Sequence, residues 1–136
     1  MKSPTTLAAT LLAAALLASA ALGSSGAGAS TPAAPSAAPA YRHYVACGLS
    51  QNAKPAHRCR KGRAKGAFFR SNVGDVFYTV CVRFPTGKLI CTPEPQEAKR
   101  GTLYVNKITT NIPGKHKVTW FVSGKRVGLS YFVVTG

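Results

Sequence analysis

The sequence predicts an all-β fold: an antiparallel β-sandwich of about seven short strands, with a small β-barrel as the alternative. Three observations point there. From Tyr41 onward, β-branched and aromatic residues fill every apolar segment, and none repeats at the i, i+3, i+4, i+7 spacing of a helix. Gly, Pro, Asn and Asp interrupt the chain at short intervals. Tyr78 to Thr92 has the composition of two strands joined by the loop Pro85-Thr86-Gly87, with Pro setting φ at the first loop position and Gly free to take φ > 0 at the third.

The chain before Tyr41 is not domain material. Lys2 precedes an uncharged Ala/Leu run from Leu7 to Leu22; of two small-x-small sites, Ala18-Ser19-Ala20 lies near the end of the run and Ala27-Gly28-Ala29 beyond it. The run is short and only weakly apolar for a membrane span. A cleaved signal peptide over residues 1–29 is expected, with cleavage at the second site. Residues 30–40 form an Ala/Pro/Ser-rich linker without periodicity. The folded domain is expected over residues 41–136, with no transmembrane span once the signal is removed.

Within that domain Tyr41 to Cys47 alternates as a first strand, with Tyr41, His43, Val45 and Cys47 on one side. Gly48 to Gly66 reads as a polar, basic loop, Ala67 to Ser71 as a short strand, and Asn72 to Asp75 as a turn. In the hairpin, Arg83 is expected opposite Leu89, Val82 opposite Ile90, and Cys81 opposite Cys91. Thr92 to Gly101, with Pro93 and Pro95, is a connection and not a central strand. Leu103 to Thr109 is another strand, ended by Pro113-Gly114. Lys117 to Val122, the turn Ser123-Gly124-Lys125, and Val127 to Thr135 complete a second hairpin, with Val118, Trp120 and Val122 pointing inward.

Four cysteines in a small exported chain predict two disulfides and a secreted, extracellular protein. The hairpin register favours Cys81–Cys91, which leaves Cys47–Cys59. Cysteine spacings are too wide for a zinc site, so neither metal nor cofactor is expected.

The run Ala67-Phe68-Phe69, then Tyr78-Thr79-Val80-Cys81-Val82, Pro85-x-Gly87 and Cys91, then Gly101-x-Leu103-Tyr104-Val105-Asn106 and Gly114-x-His116-x-Val118-Thr119-Trp120-Phe121-Val122-x-Gly124 resembles uncharacterised small exported immunoglobulin-like proteins of actinobacteria. The resemblance spans most of Cys47 to Phe132 and implies an Ig-like sandwich. It brings no activity with it, and the hairpin disulfide departs from the antibody-domain pattern, in which the disulfide joins two sheets across a Trp.

Charge is the most unusual feature of the composition. The whole chain has a formal net charge of +15, and without Lys2 its Lys and Arg face only Asp75, Glu94 and Glu97. Such an excess attracts nucleic acid, anionic lipid or acidic cell-wall polymers in a salt-dependent way. Lys54, Arg58, Arg60, Lys61, Arg63, Lys65 and Arg70, with His57 among them, are the candidate polyanion-binding residues, gathered around Cys59. No zinc-finger, helix-turn-helix or RNP-like pattern accompanies them. The expected function is a non-enzymatic, monomeric binding module. The alternatives are a protease inhibitor presenting Arg58-Cys59-Arg60-Lys61, and a ribonuclease using His57, His116 and Lys115 as base, acid and phosphate ligand. No nucleophile-elbow motif is present and the three acids form no catalytic pair. Phe68-Phe69 and Trp120-Phe121 each direct one ring to either side of a strand, so each pair leaves a ring for a second covered face or for a stacking surface.

Overall fold

The computed structural model describes Gly28 and residues 37–136. Apart from Gly28, the expected signal peptide falls outside the described residues, as does most of the linker. Among the described residues there are nine strands: β1 (Tyr41–Ala46), β2 (Arg58–Arg60), β3 (Lys65–Ser71), β4 (Val76–Arg83), β5 (Leu89–Cys91), β6 (Gln96–Ala98), β7 (Leu103–Ile108), β8 (Gly114–Val122) and β9 (Lys125–Thr135). They form two sheets. One has the order β1-β3-β7; the other has the order β2-β9-β8-β4-β5, with β6 also on β4. The result is a sandwich, not a barrel. No helix among the described residues is long and apolar enough to cross a membrane.

Alternation explains the core. Tyr78, Val80, Val82 and Phe84 of β4 and its end, Val118, Trp120 and Val122 of β8, and Phe132 and Val134 of β9 meet Val45, Ala67, Phe69 and Ile108 of the smaller sheet. Phe69 and Tyr78 stack across the gap with ring centroids 4.3 Å apart. The smaller sheet is also covered on its other side, where Tyr44, Ala46 and Phe68 pack with Ala53 from the β1–β2 connection. Both rings of the Phe68-Phe69 pair are therefore buried.

The hairpin has the expected register: Cys81 faces Cys91, Val82 faces Ile90 and Arg83 faces Leu89. The Phe84 N–H donates to Lys88 O at 2.8 Å, and Gly87 takes φ of +88°. The disulfides join Cys81 to Cys91 and Cys47 to Cys59. The second hairpin turns more tightly than expected. Val122 pairs with Lys125, so Ser123-Gly124 is a two-residue loop, with both residues at positive φ as such turns require.

Three expectations need correction. Thr92 to Gly101 is not only a connection, because Gln96–Ala98 pairs with Val76–Tyr78 of β4 in the larger sheet. Not every pair is antiparallel: Arg58–Arg60 lies within the supposed loop, yet it pairs in parallel with Val133–Thr135 of β9. The Cys47–Cys59 bond anchors it there, and Cys59 is buried beside Val134, each 1% exposed. The loop is also shorter than expected, because β3 begins at Lys65. Gly66 permits this, since a Cβ there would lie 2.7 Å from Val105 Cγ2 and 2.9 Å from the Phe68 ring.

Candidate polyanion-binding surface

The sheet pairing divides the basic residues that are clustered in sequence. Arg58 and Arg60 are exposed on the outer side of β2, flanking the inward Cys59. Lys61 and Arg63 follow, exposed, in the turn at this sheet edge, where the Lys61 N–H donates to Thr135 O at 2.8 Å. Lys54 is exposed on the β1–β2 connection.

Lys65 and Arg70 do not join them. Lys65 is 1% exposed, and its Nζ donates to Arg63 O at 2.8 Å and Thr110 O at 2.9 Å. Burial pulls its pKa below the ordinary lysine value. With its ammonium satisfied inside the protein, it offers nothing to a surface ligand. Arg70 is half-buried on β3, opposite Arg42 and Leu103, on the outer face of the smaller sheet.

In place of those two, the larger sheet supplies cations from distant parts of the chain. Register sets Arg58, Val133 and Lys115 in one row across β2, β9 and β8. The next row is Tyr131, Lys117, Arg83 and Leu89. Further along, Arg126 lies beside Phe121, and Phe121 beside Thr79. Arg58, Arg60, Arg83, Lys115, Lys117 and Arg126 thus share the outer face of one sheet. Lys115 Nζ sits 4.2 Å from the centroid of the Tyr131 ring. Local sequence does not group Arg83, Lys117 and Arg126 with the basic stretch, and offers Lys115 only as the phosphate ligand of a ribonuclease, because these residues are scattered along the chain. The signal was there in the alternation of β8: if Val118, Trp120 and Val122 face inward, then Lys117, Thr119 and Phe121 face outward.

Two of the acids gather at the far end of the same sheet, where Glu97 of β6 pairs with Phe77 of β4. Lys99 bonds both Asp75, at 3.2 Å, and Glu97, next to the start of β4. The Arg100 N–H also donates to Asp75 Oδ1 at 2.8 Å, and these contacts hold the Asp75 carboxyl below its ordinary value. Glu94 lies on the β5–β6 connection.

The histidines do not converge. His57 is exposed beside β2, with Nδ1 3.2 Å from Tyr131 O. His116 is 0% exposed on the inner side of β8, and its ring nitrogens lie 3.1 Å from Thr110 Oγ1 and 3.1 Å from Gly114 O. Lys115, its neighbour, points to the opposite face. Burial, with the nearby Lys65 charge, holds the His116 pKa below the ordinary value against the opposing effect of the Gly114 carbonyl. The Arg58-Cys59-Arg60 segment is a strand within the sheet rather than a protruding inhibitory loop.

No family model and no curated protein matches the chain. Among solved structures, an immunoglobulin-like protein from Pseudomonas aeruginosa is 14% identical with a TM-score of 0.45, over 70% of this chain and 91% of its own. An alkylpurine DNA glycosylase from Pseudomonas fluorescens, bound to DNA containing an abasic site analog, is 12% identical with a TM-score of 0.42. That match covers 72% of this chain and 31% of the glycosylase.

Proposed function

We propose that this protein is an exported, non-enzymatic binding module whose ligand is a polyanion held on the outer face of the larger sheet. One observation supports this above all: Arg58, Arg60, Arg83, Lys115, Lys117 and Arg126 share that face, while Asp75 and Glu97 are engaged by Lys99 next to the start of β4. Cations on a hydrogen-bonded sheet are carried by an ordered backbone, so less ordering entropy is lost on binding than with a flexible tail. The two disulfides fit an oxidising compartment, where acidic polymers and anionic head groups are accessible.

The test is titration with heparin, single-stranded DNA and anionic vesicles at several salt concentrations. With five or six cations engaged, log K for DNA should fall with log salt at a slope of about −3 to −5. Affinity weaker than about millimolar for all three at low salt would leave the charge as a solubility device.

A further inference from the structure

The outer face is not a flat charged plane. Between the row of Lys117, Arg83 and Leu89 and the row of Phe121 and Arg126 lie Thr119 and Cys81, directly paired and each only 9% exposed. These small residues between larger ones leave an open depression of about 520 Å³, walled by Arg83, Leu89, Lys117, Phe121 and Arg126. Its floor is fixed, because Cys81 is bonded to Cys91 and Thr119 sits in mid-sheet. Cations stand at both ends, separated along β8 by four residues, or about 13 Å of extended strand. None of the three acids lines it.

A uniformly charged polymer needs only the cations. An aromatic wall beside the Arg126 cation, with Arg83 and Lys117 at the opposite end, suits a ligand that alternates anionic groups with flat apolar ones. Single-stranded nucleic acid is such a ligand, since its bases are free to stack while its phosphates run along a basic surface. A duplex keeps its base faces stacked internally and presents mainly phosphate to a face of this shape. We propose that this depression is a binding site for single-stranded nucleic acid. Arg83, Lys117 and Arg126 take phosphates, and Phe121 stacks one base. The proposal rests on the polyanion reading above and names the ligand class for the same face.

The experiment titrates the full chain by fluorescence anisotropy with labelled (dT) oligomers, abasic phosphodiester oligomers of equal length, and heparin. The wild-type protein is expected to bind the dT oligomer roughly 5- to 100-fold tighter than the abasic one, as for loss of an aromatic–base stack. Phe121→Leu should erase that difference while leaving abasic-oligomer and heparin affinities in place. Joint replacement of Arg83, Lys117 and Arg126 by Gln should weaken all three ligands. Equal wild-type affinity for dT and abasic oligomers, with heparin still bound, overturns this inference and leaves the polyanion reading standing. Equal weakening of dT oligomer and heparin by Phe121→Leu also overturns it, in favour of a glycan surface. Failure to bind any of the three defeats both.

Discussion

Trp120 lies on the inner side of β8, fully buried, with the His43 ring 5.0 Å away across the sandwich. Its orientation was legible from alternation alone, because Val118 and Val122 on the same side are also buried. Trp120→Ala is expected to lower unfolding stability by about 3–5 kcal/mol in urea titration, as for a large aromatic removed from a core. A cost under about 1 kcal/mol would mean that the ring is not the packing element described. Lys65 shows the opposite case. Its sequence neighbours are basic and polar, and its burial depends on the carbonyl of Thr110, contributed from far along the chain. Nothing local announces that acceptor. The interior histidines bear on stability through pH. His43 and His116 are both held below their ordinary value of 6.5, chiefly by burial, so the unfolded chain binds more protons than the folded one. Stability is therefore full above that value and declines as pH falls through it. Melting temperature should drop between about pH 7.5 and pH 5, and His116→Gln should flatten the decline. An unchanged profile in that variant would remove His116 from the account. Asp75 titrates below this window and does not contribute to it.

Among the elements, the β4–β5 hairpin was the most legible, since its turn chemistry, strand alternation and cysteine positions all lie within one short stretch. β2 was the least legible. Three residues, two of them Arg, form a strand against the distant end of β9, where Cys47–Cys59 and the flanking bonds of His57 O and Lys61 N–H hold them. Non-reducing peptide mapping should return Cys81 with Cys91 and Cys47 with Cys59; Cys59 joined to Cys81 would contradict both the register and the sheet order. Replacing Cys47 and Cys59 by Ser should cost about 3 kcal/mol, the scale expected for a loop of this length. It should also weaken polyanion binding, by releasing the strand that presents Arg58 and Arg60. β9 carries a second constraint that sequence could not reveal. A Cβ at Gly128 would overlap the His43 ring from the facing sheet. Gly128→Ala should therefore destabilise by about 1–3 kcal/mol through overpacking, read from the same denaturation curves. A neutral effect would show that His43 can move aside.

At the scale of the molecule, the fold brings six cations from separate stretches of the chain onto one sheet face. Composition predicts attraction to polyanions but not its location, and the cluster contiguous in sequence is split: Lys65 goes inside and Arg70 to the smaller sheet, while Arg83, Lys115, Lys117 and Arg126 join Arg58 and Arg60. Strand order, which places β2 beside β9 and β8 beside β4, made this face and was not readable from local pattern. The sharpest measurement compares two variants of equal net charge. One replaces Arg58, Arg60, Lys115 and Lys117 by Gln; the other replaces Arg42, Lys88, Arg100 and Lys107, all exposed and outside those rows. Both are titrated with single-stranded DNA over a range of salt. The first should flatten the slope of log K against log salt by about three units, at roughly 0.7 per lost phosphate contact, while the second leaves it near the wild-type value. Equal flattening by both variants would contradict the claim, leaving net charge, with no face, as the source of attraction.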